Sequence, residues 1–221
     1  EILPFEKTTE EQQMLDEAVA AARNAEVVVL VLGGSELTVR EDRSRTSLDL
    51  PGHQQELMQA IHATGKPTVL VLLDGRAATI NYANQYIPAI LHAWFPGEFA
   101  GTAVAEALFG DYNPGGRLAV TFPKSVGQIP FAFPFKPGSD EPCETAVYGA
   151  LYPFGYGLSY TKFSYKNLQI TPEEQGPQGE ITVSCEVTNI GDRTGDEVVQ
   201  LYLRDEVSSV TTYMKVLRGF E

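Results

Sequence analysis

Residues 33–45 read GGSELTVREDRSR and concentrate ionisable side chains: Glu36, Arg40, Glu41, Asp42, Arg43 and Arg45. Immediately before them stands an apolar run, Val27 to Leu32. Such a Val/Leu-rich run, preceded by a helical pattern and followed by Gly-Gly, reads as a buried parallel strand. In open α/β sheets the chemistry collects just beyond the carboxyl ends of strands. Glu36 and Glu41 are therefore the carboxylates to weigh. A pair of carboxyl groups can act as proton donor and as nucleophile or base at a glycosidic bond. By residue type alone the segment reads first as a solvated, charged loop, and the carboxylate pair is the second reading.

Other chemistries find less support. Gly33-Gly34 lacks the G-x-G-x-x-G dinucleotide fingerprint and any phosphate-loop Lys. Ser35 lacks the G-x-S-x-G elbow. His53, His62 and His92 are scattered and read as structural, without the clustered partners of a metal site or nucleophilic triad. No metal and no cofactor are expected. Cys143 and Cys185 are too few for a disulfide framework. Cys185 lies in ITVSCEVTNI, sharing a face with Ile181, Val183 and Val187, and is expected to be a core thiol. Its pairing with Cys143 is disfavoured.

The elements that position the loop follow from periodicity. Residues 8–24 form a helix opened by a Thr8–Glu11 capping box, with Met14, Leu15, Ala18, Val19 and Ala22 as the apolar stripe. A second helix spans 53–63, with Leu57, Met58 and Ile61 inward and Gly65 as the stop. TVLVLL (68–73) and AILHAW (89–94) are the next strands, with a short irregular or helical piece between them. A helix over 99–109 closes at Gly110. This β-α-β-α rhythm predicts an α/β fold, a mostly parallel sheet with helices on both faces. Right-handed crossovers place the three strand-end loops on one edge.

Beyond residue 110 the character changes. Residues 122–157 are rich in Pro, Phe, Gly and Tyr, and read as an extended strap crossing the first unit. Its aromatic residues serve packing or, alternatively, sugar stacking. From Phe163 a period-two pattern predicts antiparallel strands of an immunoglobulin-like or fibronectin III-like unit. About four strands are present where such a sandwich takes about seven. Unpaired edges and bare apolar faces, such as Val199, Leu201 and Leu203, predict homodimerisation through 181–221.

The whole chain has 221 residues, 43% hydrophobic and 20% charged, with a formal net charge of −13. The acidic balance excludes nucleic acid and anionic membrane surfaces as partners. No apolar run is long enough to span a bilayer. The chain opens EILPFEKTTEE with no signal-peptide pattern.

Four long segments together resemble glycoside hydrolase family 3 of the bacterial β-glucosidase type. They are GGSELTVREDRSRTSLDLPGHQQEL (33–57), GKPTVLVLLDGRAATI (65–80), AWFPGEFAGTAVAEALFGDYNPGGRLAVTFPKSVGQIP (93–130) and ALYPFGYGLSYTKFSY (150–165). The resemblance implies an α/β sandwich domain over 1–160, lacking its first strand and helix, and the start of a fibronectin type III-like domain over 161–221. It implies a fragment of a retaining, exo-acting β-glycosidase, inactive by itself, whose nucleophilic Asp lies on a barrel domain outside this chain. The family's acid/base Glu, on the loop ahead of the helix-opening Leu-Pro, maps onto Glu41, with Glu36 the runner-up. A proton donor must begin protonated, which burial and a neighbouring negative charge favour. Arg40, Arg43 and Arg45 would oppose that, so Glu41 is expected to be exposed in the lone chain. The implied partners are an oligosaccharide or β-glucoside and the barrel. The implied location is periplasmic or secreted. The alternative is a non-catalytic carbohydrate-binding or scaffold relative.

Overall fold

The structure is a computed structural model that describes residues 6–42, 44–138, 147–176 and 178–221. Helix α1 spans Thr9–Asn24 and opens on the expected box: the Thr8 side chain accepts from Glu11 N–H, and Glu11 accepts from Thr8 N–H at 2.8 Å. Its apolar stripe sinks toward the C-terminal end, where Ala22 is buried while Met14 is exposed. Strand β1 (Val28–Gly33) leads to α2 (Gln54–His62), β2 (Thr68–Leu73), α3 (Asn81–Tyr86), β3 (Ala89–His92) and α4 (Ala100–Phe109). Gly110 adopts the left-handed φ of +84° that closes α4.

The three strands pair in parallel in the order β1-β2-β3, with Val28 opposite Thr68 and Val69 opposite Ala89. One face carries Leu30, Leu32, Leu70 and Leu72. They pack with Ala22 of α1, Met58 and Ile61 of α2, Ala83 of α3, and Phe122 from the strap. The opposite face meets α4 beside β3, where Leu91 and Ala93 border a groove of about 380 Å³ with Ala103, Val104 and Ala107. Helices thus lie on both faces, as the α/β reading requires. On β1 that second face is open: Val29 and Val31 are about half exposed.

The third strand is shorter than AILHAW suggested. Ala93 still donates to Leu72 O at 3.0 Å, but Trp94 turns to φ +53° and ends the ladder. The indole thereby lies against the imidazole of His92, with ring centroids 4.1 Å apart. This contact of Trp94 with its own strand is invisible to a pattern of alternating apolar residues.

The strap is built as two arms. Phe122 N–H donates to Tyr152 O at 2.8 Å and Leu151 N–H to Phe122 O at 2.8 Å. Leu118 N–H donates to Tyr156 O at 2.9 Å. Phe122, 1% exposed, meets His92, Trp94 and Tyr152 edge-on. The packing reading of these aromatic residues holds for this set.

Four further strands follow: β4 (Phe163–Thr171) with β5 (Thr182–Asn189), and β6 (Gln200–Leu203) with β7 (Val216–Phe220). Each pair is an antiparallel two-stranded ribbon. The expectation for Cys185 is corrected here: the thiol is exposed, as are Ile181 and Val187 on the same face. Alternation marks a face suited to burial, but among the described residues no second layer covers it. Cys143 lies outside the described residues.

Candidate active site

The carboxyl ends of β1, β2 and β3 lie on one edge, so the segments 34–53, 74–80 and 93–99 share it. The first of these carries the charged residues. It begins with a turn in which Thr38 and Val39 N–H donate to Ser35 O at 2.9 and 2.8 Å. Arg40 sits between two carboxylates, with Nε 2.6 Å from Asp42 and Nη1 3.9 Å from Glu36. Glu41, at the next position, is exposed and has no hydrogen-bond or ion-pair partner among the described residues. Arg43 lies outside the described residues. Of the two candidate carboxylates, then, Glu36 lies within ion-pair reach of Arg40, and Glu41 has no partner among the described residues.

Several residues hold this segment, and they come from other parts of the chain. Gln54, the first residue of α2, accepts from Gly33 N–H at 2.7 Å and donates to Gly33 O at 2.8 Å. Arg76 Nη2 donates to Arg40 O at 3.3 Å, reaching the peptide that precedes Glu41 from the end of β2. At the far end Asp49 accepts from the Thr79 hydroxyl and from Ser47 Oγ, and its carbonyl accepts from Arg45. Thr79 N–H donates to Leu48 O at 2.9 Å.

Beneath the turn lies Asp74, fully buried at the end of β2. Its Oδ1 accepts from Arg76 N–H at 3.0 Å, and its Oδ2 has no hydrogen-bond partner among the described residues. Burial raises its pKa above the ordinary carboxylate value, against the pull of that N–H and of Arg45 and Arg76. On β3, burial pushes the His92 imidazole down to about 4. Its Nδ1 accepts from Trp94 N–H at 3.2 Å, so the neutral ring carries its proton on Nε2, a buried atom with no partner among the described residues. His62 pairs through Nδ1 with Tyr82 OH at 2.7 Å and stacks on Tyr86, remote in sequence from the charged loop. The three histidines are not brought together, and no His/Cys/Asp/Glu cluster suited to a metal occurs among the described residues.

Motif reading does not single out Gln54, Asp74 or Arg76. For Asp74 a signal exists, since a carboxylate that directly ends an apolar strand is unusual company for TVLVLL. Gln54 carries none: a glutamine in the first turn of a helix is ordinary surface composition.

The profile of the glycosyl hydrolase family 3 C-terminal domain matches residues 4–160. The chain belongs to this family. Among the family's members, it is 48% identical over 209 residues to a β-xylosidase of Formosa agariphila, covering 93% of this chain and 29% of that protein. It is 44% identical over 221 residues to a periplasmic β-glucosidase of Salmonella typhimurium, covering 95% of this chain and 29% of that protein. A solved β-glucosidase structure from Erythrobacter marinus superposes with a TM-score of 0.92 at 42% identity, over 97% of this chain and 30% of that one. This family 3 chain therefore spans about three-tenths of the length of the relatives it matches. Because the likeness to the solved structure extends past residue 160, the two β ribbons are part of it.

Proposed function

We propose that this chain supplies the acid/base half of a retaining β-glycosidase site, with Glu41 as the proton donor. The observation that carries the reading is the state of Glu41. It stands at the carboxyl edge of the sheet, without a partner among the described residues, on a segment tethered at both ends and at Arg40. A carboxyl group that must approach a sugar oxygen has to be held in place yet left uncommitted. Glu36 meets the second requirement less well, because Arg40 faces it.

In the first step an Asp on a barrel domain outside this chain attacks the anomeric carbon. Glu41 gives its proton to the departing oxygen, so the leaving group exits as a neutral alcohol. In the second step ionised Glu41 takes a proton from water, which displaces the Asp and releases the sugar with its original configuration. The substrates are terminal β-glucosides or β-xylosides, in keeping with the names of the relatives. Residues 1–160 form the sandwich domain and 161–221 the start of a fibronectin type III-like domain. The site of action is the periplasm or the exterior. Among the described residues no helix is long and apolar enough to cross a membrane.

The test uses the full-length gene product that contains these residues. Glu41→Ala is expected to lower turnover of unactivated β-glucosides by about 10²–10⁴-fold. Azide, which attacks the glycosyl-enzyme without base assistance, should restore turnover on activated aryl glycosides and yield the β-glycosyl azide. If Glu36→Ala shows this behaviour and Glu41→Ala does not, the assignment moves to Glu36. If neither does, the acid/base reading is wrong.

A further inference from the structure

We propose that Gln54 is a positioning residue for the acid/base loop: its carboxamide completes the last rung of β1 and so fixes the direction in which the Glu41 segment leaves the sheet. This rests on the reading of Glu41 given above.

Strand geometry makes the case. Peptide groups alternate sides along a strand. Val28 N–H donates to Pro67 O at 2.8 Å and Gly34 N–H to Leu73 O at 3.0 Å, so the even-numbered peptides face β2. Gly33 therefore faces the other way, onto the edge of β1 that no strand flanks among the described residues, where the order is β1-β2-β3. Without Gln54, both its N–H and its C=O would lack partners among the described residues. Gln54 satisfies both at once, at 2.7 and 2.8 Å, presenting its carboxamide as a neighbouring strand would present a peptide.

The clamp grips where there is little slack. Gly33 has φ +141°, and a Cβ there would stand 1.9 Å from Leu73 O. A Cβ on Gly34 would stand 2.2 Å from Val39 and 2.9 Å from Asp74 Oδ1. The chain thus leaves β1 pressed against β2 on one side, with Gln54 holding it on the other. Gln54 is itself mounted on a rigid element, since α2 is anchored by Met58 and Ile61 at 0% and 2% exposure. The clamp therefore transmits the position of the sheet core to a segment whose tip bears the proton donor. Catalytic groups lose rate steeply when displaced by about 1 Å.

Leaving-group dependence separates positioning from general stabilisation. A 2,4-dinitrophenyl glycoside departs without a proton, whereas a methoxyphenyl glycoside needs one. In the full-length protein, Gln54→Glu keeps the acceptor for Gly33 N–H but sets a carboxylate against Gly33 O. Gln54→Asn keeps both amide functions but withdraws them by one methylene, and serves if Gln54→Glu fails to fold. Either variant is expected to lower kcat/KM for the methoxyphenyl substrate by about tenfold or more, with less than about a threefold loss for the dinitrophenyl substrate. The alkaline limb of the pH–rate profile should shift as well. Equal losses on both substrates, or no loss on either, would overturn the inference. Glu41→Gln is run beside them. If it shows the leaving-group dependence and the Gln54 variants do not, the positioning role alone fails. If Glu41→Gln shows none, the acid/base reading falls and this inference with it.

Discussion

The parallel sheet and the two antiparallel ribbons are written in similar residues, yet they differ sharply in burial. From Ala22 to Phe122 the first region buries 15 described apolar residues, with Leu70 and Leu72 at 0% exposure. After Thr161 no described residue is fully buried. Val187, Leu201 and Leu203 stand 37%, 36% and 49% exposed on strands whose alternation would suit a core. The parallel sheet has α1, α2 and α3 packed on one face, whereas each ribbon has two strands and, among the described residues, no layer of its own. A hydrophobic pattern becomes a core only when a second layer covers it.

The ribbons are held instead by polar ties to the first region. Arg117 pairs with Glu197 at 2.5 Å, both side chains mostly buried, and Tyr165 OH donates to the same carboxylate at 2.6 Å. Arg193 donates to Gly110 O, and Gln200 donates to Gly155 O at 3.0 Å. Phe133 stacks on Phe154 with centroids 4.5 Å apart and meets Tyr202 edge-on.

The largest test of the contrast is deletion of buried volume. Leu70→Ala should cost about 2–5 kcal/mol in urea unfolding, and Leu201→Ala less than about 0.5 kcal/mol. Similar losses at both positions would erase the distinction. Next comes the tie between the regions. Arg117→Ala leaves Glu197 short of its cation and should cost about 2 kcal/mol. The loss should read out as faster amide exchange in β4–β7 with β2 protection unchanged.

The pH dependence should divide along the same line. His92 has its folded pKa lowered by burial to about 4, below its ordinary value near 6.5. The unfolded chain therefore binds the proton first, and this contribution to stability is lost as pH falls from about 6.5 to 4. Asp74, raised by burial, acts oppositely: its contribution is present at acid pH and lost as pH rises through its folded pKa. Tyr165, pushed up to about 12 by desolvation and by the Glu197 hydrogen bond, contributes stability below pH 10 that is lost as pH rises toward 12. In the 221-residue chain, His92→Gln should flatten the acid limb of thermal unfolding, and Tyr165→Phe the alkaline limb. Asp74→Asn should abolish the loss of stability that sets in as pH rises through the folded pKa of Asp74. The smallest effect on folding should come from Leu203→Lys. Light scattering tests the dimer expected through 181–221: the 221-residue chain should self-associate and Leu203→Lys should weaken this, and a monomeric parent chain or an unchanged dimer fraction would remove the ribbons as the contact.

Local chemistry was legible without coordinates. The Thr8–Glu11 box, the bounds of β2 and the Gly110 stop depend on neighbours a few residues apart, and each is where spacing puts it. The early end of β3 was not legible, because it turns on the left-handed backbone of Trp94 and its ring contact with His92. Cys185 misled for the reason the ribbons are exposed: period two reports which side a residue takes, not whether anything lies there.

Residue order alone determined the rhythm of strands and helices, the family resemblance, and the choice of Glu36 and Glu41 as the carboxylates to examine. These follow from short-range periodicity and residue type. The tertiary structure decided what holds that loop: Gln54 lies 21 residues from Gly33, Thr79 lies 30 from Asp49, and Arg76 lies 36 from Arg40. Such pairings exist only after the parallel crossovers have brought the strand ends to one edge, because hydrogen bonds act over about 3 Å and carry no mark in sequence spacing.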